Sequence, residues 1–240
     1  MRRALQLATL SAFVASGVMA ATPQEVSFRT DDGVMIAGAL YLPGRPGPGI
    51  ILVHALSRTH EDWNAVASRL ADAGFVVLAI DLRGHGASGP LPEGTTLDVL
   101  TPMMADVSAA RAFLASRREA VPGRVGLAGA SIGANLAILA AAADPTVRSL
   151  ALLSPGIDYR GLRPEAAIKK YGERPALIIA SQEDNYATGA ARQLAVAGAG
   201  PGIGIRDLRI LNGAGHGSAM LARQPDLASS LVDWFRRTLL

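Results

Sequence analysis

Arg124-Val-Gly-Leu-Ala-Gly129-Ala130-Ser131-Ile132-Gly133-Ala134 is the stretch whose reading decides the fold. It follows an apolar run, Arg124 to Ala128, and opens an alanine-rich one, Ala134 to Ala143. A strand that ends in G-x-S-x-G and turns at once into a helix sets its serine on a sharp corner, with the hydroxyl exposed above a parallel sheet. The flanking glycines have a steric reason, because strand and helix approach so closely there that side chains beside the serine would collide. Ser131 is therefore the candidate nucleophile. Serine also suits a plain helix N-cap, so the assignment depends on finding its partners.

A serine hydroxyl is a weak nucleophile until a histidine takes its proton and a carboxylate orients that histidine. In a chain built this way they follow in the order Ser, Asp or Glu, His, each beyond the carboxyl end of a later strand. The run Pro175-Ala-Leu-Ile-Ile-Ala-Ser181 reads as a buried strand and is followed by Gln182-Glu183-Asp184. The run Ile205-Arg-Asp-Leu-Arg-Ile-Leu211 is followed by Asn212-Gly-Ala-Gly-His216-Gly217. His216 is the expected proton carrier and Asp184 the expected acid. Glu183 beside it and Asp158, which follows the preceding strand, stay open as alternatives.

With these residues the chain resembles the α/β-hydrolase family, over nearly its whole length after the first twenty or so residues. Within the family it looks most like the small serine esterases and the dienelactone-hydrolase-like group. Val53-His54-Ala55-Leu56, after the run Gly49 to Val53, stands where the family carries a His-Gly-x loop whose backbone helps to bind an oxyanion. The resemblance implies Leu56 and Ile132 N–H as the two oxyanion donors, with Ala55 in place of the family's usual glycine. Asp81-Leu-Arg-Gly-His-Gly-Ala-Ser-Gly89 matches a further family segment and reads as structural. Lid domains in the family commonly follow the strand that ends here at Leu153. Only about twenty residues, Ser154 to Arg174, precede the next strand, so no cap domain is expected and the site should be shallow.

A coarse pass finds strands and helices in turn. Glu25 to Arg29 and Val34 to Tyr41, joined by Thr30-Asp-Asp-Gly33, read as an antiparallel hairpin. Strands follow at 49–54, 75–80, 124–129, 147–153, 175–181 and 205–211. Helices are expected at 62–73, 103–118, from the serine corner to 143, at 186–197, and at 218–238. The fold class is thus α/β, a mostly parallel eight-stranded sheet with helices on both faces. Ligands in such sheets bind at the carboxyl ends of the strands, where all the candidates fall.

Half of the 240 residues are hydrophobic, enough for one well-buried domain. Cysteine is absent, which removes disulfides and a thiol nucleophile. The four histidines are widely separated, so no metal site is expected, and no cofactor is needed. Met1-Arg-Arg3, the apolar run Ala4 to Val14 and Val18-Met-Ala-Ala21 read as a secretory signal over 1–20, leaving 21–240 as the hydrolase domain in a secreted or periplasmic protein. Loss of Arg2 and Arg3, with no acid in that segment, lowers the formal charge from +3 to +1. A nucleic acid partner and stable membrane association after cleavage are therefore not expected.

His54 and His85 read as structural hydrogen-bonding residues, His60 as a surface or pocket-rim residue and Trp63 as core. The expected activity is hydrolysis of a small-molecule carboxylic ester through Ser131, His216 and Asp184. Thioester or peptide hydrolysis and perhydrolysis are alternatives for the same residues, and a non-catalytic binding protein is the alternative of another class. Oligomeric state stays open.

Overall fold

The computed structural model describes residues 23–197, apart from 95, 97 and 99, and residues 206–240. The expected signal at 1–20 lies outside the described residues. The strands are β1 (Gln24–Arg29), β2 (Met35–Tyr41), β3 (Gly47–Val53), β4 (Val76–Ile80), β5 (Ala120–Ala130), β6 (Val147–Leu153), β7 (Ala176–Ser181) and β8 (Arg206–Leu211). They form one sheet in the order β1-β2-β4-β3-β5-β6-β7-β8. The β1–β2 and β2–β4 pairings are antiparallel and the rest parallel. β3, β4 and β7 are buried at every residue, as strands covered on both faces must be, and so read as unbroken apolar runs.

The helices are α1 (Asn64–Asp72), α2 (Met104–Ala115), α3 (Ile132–Ala143), α4 (Glu165–Tyr171), α5 (Asn185–Val196), α6 (Ala219–Arg223) and α7 (Asp226–Leu239). One face of the sheet packs against α1 and α7 through Trp63, Leu70, Leu231, Trp234 and Phe235. The other packs against α2, α3 and α5 through Val107, Leu136, Ile138 and Leu194, and α4 packs on α3 with Ile168 in the same core. In α7 the apolar residues Leu227, Leu231, Trp234 and Phe235 recur every three to four positions and form its buried stripe. None of the described helices is long and apolar enough to cross a membrane.

Two elements differ from the sequence reading. The terminal helix expected as one piece is divided into α6 and α7 at Gln224-Pro225. Gln224 has φ −125° and ψ 85°, because a residue preceding proline is pushed out of the helical region, while Pro225 suits the start of α7. The segment Ser154 to Arg174, for which the sequence reading places no helix, contains α4, which buries Ile168 and Tyr171. Ser154 to Arg174 otherwise carries a single bridge, Tyr159 to Leu162, and no cap domain.

Hydrogen bonds continue past the ends of the central strands. Ser131 N–H donates to Leu153 O, Ser154 N–H to Ile179 O, and Gln182 N–H to Leu211 O, each at 2.8 Å. The first residues after β5, β6 and β7 are thereby held in line at the carboxyl end of the sheet.

Candidate active site

Ser131 sits between β5 and α3 with φ 53° and ψ −117°, a backbone conformation that L-residues rarely adopt. The two glycines of the motif are required by contact. A Cβ on Gly129 would stand 2.1 Å from Gly133 O, and one on Gly133 would stand 2.3 Å from Val53 O. Strand β3, the serine corner and the first turn of α3 are therefore packed backbone against backbone, which is how the strain at Ser131 is held.

Ser131, His216 and Asp184 come together from three separate loops. Ser131 Oγ lies 2.9 Å from His216 Nε2, and His216 Nδ1 is hydrogen-bonded to Asp184 Oδ2. A carboxylate can only accept, so Nδ1 carries the proton and Nε2 is left to accept from the serine hydroxyl. Ser131 is buried, whereas the His216 side chain is 46% exposed. Asp184 is itself fixed as the N-cap of α5, with Oδ1 accepting from Ala187 N–H at 3.1 Å.

The other two acids do different work. Glu183 accepts from Ser181 Oγ at 2.5 Å and from Gly213 N–H at 2.7 Å. Ser181 Oγ in turn accepts from Ala214 N–H at 3.0 Å and Gly215 N–H at 3.2 Å. Gly217 N–H donates to the buried Ser154 Oγ at 2.9 Å. Thus Glu183, Ser181 and Ser154 fasten the loop that carries His216. Asp158 pairs instead with Arg163 at 2.6 Å and accepts from Gly161 N–H at 2.9 Å.

Ile132 is the first residue of α3, so its N–H has no acceptor within the helix. Among the described residues, Leu56 N–H also meets no protein acceptor. The loop carrying Leu56 is pinned by two histidines. His54 Nε2 accepts from Leu82 N–H at 2.9 Å, leaving Nδ1–H to donate to Ala55 O at 2.7 Å. Burial holds His54 down at about 4, so it is neutral. His85 Nε2 accepts from Ser57 N–H at 3.0 Å, and its Nδ1–H donates to Arg83 O at 3.0 Å. Ser57 has φ 60°, a turn that this bond helps to hold.

The Asp81–Gly89 segment is a structural knot. Arg83, fully buried, pairs with Asp106 at 2.7 Å and with Asp32 at 2.6 Å. Burial pushes the Asp106 carboxyl up to about 6, against the pull of Arg83, while the hydrogen bond from Arg83 holds Asp32 down at about 2. His60, expected at the surface or a pocket rim, is paired with the buried Asp81 at 3.0 Å, which raises its pKa. Trp63 is fully buried.

Sequence reading passed over Asn135 and Tyr159. Asn135 is the one polar side chain in α3 and is fully buried. Its Nδ2 donates to Gly156 O at 3.1 Å and Leu162 O at 2.9 Å, while Oδ1 accepts from Gly156 N–H at 3.0 Å. A lone amide inside an apolar helix must find such partners, and that was the available signal. Tyr159 lies in an aperiodic loop and gave none. Among the described residues no group of three or more His, Asp or Glu side chains is arranged to hold a metal ion.

Residues 44–180 match the family model described as serine aminopeptidase, S33. A thiohydrolase of Aspergillus aculeatus is 30% identical over 167 residues, covering 66% of this chain and 51% of that protein. The chain spans about half the length of the curated relatives it matches. Among solved structures, an esterase of Pyrococcus furiosus superposes with a TM-score of 0.76 at 18% identity, covering 92% of this chain and 94% of that one. A dienelactone hydrolase of Anabaena variabilis does so with a TM-score of 0.69 at 21% identity, covering 92% and 100%.

Proposed function

Since this chain belongs to the serine aminopeptidase S33 family of α/β-hydrolases, we propose that it is a serine hydrolase that cleaves small carboxylic esters through an acyl-enzyme on Ser131. His216 Nε2 takes the hydroxyl proton as Oγ attacks the carbonyl, and Asp184 keeps the imidazole in the required tautomer. Leu56 and Ile132 N–H receive the oxyanion, each donor contributing about 3 kcal/mol in comparable sites. The observation that carries this reading is the hydrogen-bonded line from Asp184 through His216 to Ser131 Oγ. A fluorophosphonate probe should label Ser131 and fail to label the Ser131→Ala variant. Absence of labelling at that serine would favour a binding protein without turnover.

Thioester hydrolysis is a second reading, supported by the thiohydrolases among the relatives. Comparison of matched oxygen and sulfur esters separates the two. We further propose that residues 1–20 are a cleaved signal and that the protein works outside the cytoplasm, on the pattern of its first twenty-one residues. N-terminal sequencing of exported protein should find a start within about two residues of Ala21.

A further inference from the structure

Tyr159 Oη is buried and has no hydrogen-bond partner. A buried hydroxyl left unpaired costs about 1–3 kcal/mol, and the fold has gone to some length to keep this one where it is. The Asn135 amide clamps both ends of the loop, at Gly156 and Leu162. Tyr159 and Leu162 exchange backbone hydrogen bonds of 3.2 and 3.0 Å across the loop. The phenol ring lies on Gly156, where a Cβ would stand 2.6 Å from it. Its outer side meets Tyr186, with ring centroids 5.5 Å apart. Tyr186 Oη in turn donates to Asp158 O at 2.9 Å and receives Asp158 N–H at 3.1 Å.

The ring is thus fixed from three directions on the loop that follows β6, with Ser131 and Asp184 among the groups that act electrostatically on its hydroxyl. Burial pushes the Tyr159 phenol up to about 12, with the Ser131 hydroxyl pulling the other way. It is therefore a proton-bearing donor at any ordinary pH. Its flank matters. Leu56 follows β3 on one side of β5, whereas Tyr159 follows β6 on the other, the side of Asp184 and His216. The oxyanion belongs to the first side. The oxygen that leaves must lie near His216 Nε2, which protonates it, and so belongs to the second.

We propose that Tyr159 is a catalytic residue whose phenol O–H donates to the alkoxy oxygen of the scissile ester as that oxygen departs. The proposal rests on Ser131 being the nucleophile. When the tetrahedral adduct collapses, the bond between the acyl carbon and the alkoxy oxygen breaks with its electron pair on oxygen. The carbonyl re-forms, and the proton that His216 Nε2 took from Ser131 passes to the departing oxygen. Tyr159 keeps its own proton and stabilises the negative charge that builds before that transfer is complete.

The test is Tyr159→Phe on a series of acetate esters of falling leaving-group basicity: ethyl, trifluoroethyl, phenyl and p-nitrophenyl. kcat/KM reports acylation, the step in which the alcohol leaves. A hydrogen bond to a charged group corresponds to a loss of about 10- to 100-fold, expected on ethyl acetate and shrinking steadily along the series. Because the hydroxyl has no partner in the free protein, the thermal midpoint should not fall. A loss equal on all four esters, or none, with turnover still dependent on Ser131, overturns the role of Tyr159 alone. Turnover that survives Ser131→Ala, or no turnover of any ester by the unaltered protein, overturns the underlying reading and the proposal with it.

Discussion

Asn135 and Gly156 are joined by a reciprocal pair of hydrogen bonds, Gly156 N–H to Asn135 Oδ1 at 3.0 Å and Asn135 Nδ2 to Gly156 O at 3.1 Å. The pair ties the helix that begins at the serine corner to the loop that presents Tyr159. Asn135→Ala leaves the Gly156 N–H and C=O short of this partner, and Leu162 O with Tyr159 N–H alone. The loss of stability should be about 3 kcal/mol, read from urea unfolding at unchanged m-value. A cost below about 1 kcal/mol would mean that the loop does not depend on this amide.

Ser131 Oγ and His216 Nε2 share one hydrogen bond, and in the proposed mechanism they handle one proton, so their removal should not add. Ser131→Ala and His216→Ala are each expected to lower ester turnover by about 10⁴- to 10⁶-fold, and the double variant by no more than the worse single one. Circular dichroism should show the fold retained. Losses under about tenfold would place the chemistry elsewhere.

The three nearby carboxylates should separate cleanly. Asp184→Asn is expected to cost about 10⁴-fold, since an amide cannot accept the imidazole N–H and favours the wrong tautomer. Glu183→Gln should cost less and act through stability, because Glu183 holds Ser181 and Gly213 rather than His216. Asp158→Asn should cost least, its partners being Arg163 and Gly161. Steady-state rates with matched unfolding curves check the order, and Asp158 ranking first would reassign the acid.

His54 gives a pH dependence with a definite sign. Its pKa is about 4 in the folded protein, lowered from 6.5 by burial. The unfolded chain therefore binds the proton more readily, and the stability His54 contributes is complete above pH 6.5 and lost as pH falls towards 4. A shift of this size corresponds to about 3 kcal/mol. The difference in unfolding free energy between the unaltered protein and His54→Gln should shrink over that window. Comparison of the two cancels Asp106, whose raised pKa acts oppositely, its contribution being lost as pH rises from 3.8 through about 6.

The sheet and the three polar partners were legible because the central strands are short apolar runs ending in turns, and each candidate stands within five residues of a strand end. The split at Gln224-Pro225 was visible in the proline itself, whose effect on the preceding residue overrides the apolar periodicity around it. Helix α4 spans only two turns, too few for a period to show. Tyr159 was hidden for a different reason. Its place is set by Asn135 and Tyr186, 24 and 27 residues away in sequence, and no local pattern encodes a contact across that distance. Asn135 could have been singled out, since nothing in an alanine-rich helix satisfies an amide.

The missing cap bears on which substrates are turned over. Ser154 to Arg174 supplies one bridge and α4, and the His216 side chain is 46% exposed. Nothing of this size can close over a long acyl chain or open as an apolar flap at a lipid surface. Each methylene left in water forgoes roughly 0.8 kcal/mol of binding. Rates on p-nitrophenyl esters should therefore favour short acyl groups and rise smoothly with concentration through the micelle threshold. A preference for long chains, or a jump in rate at that threshold, would show that the segment Ser154 to Arg174 acts as a lid.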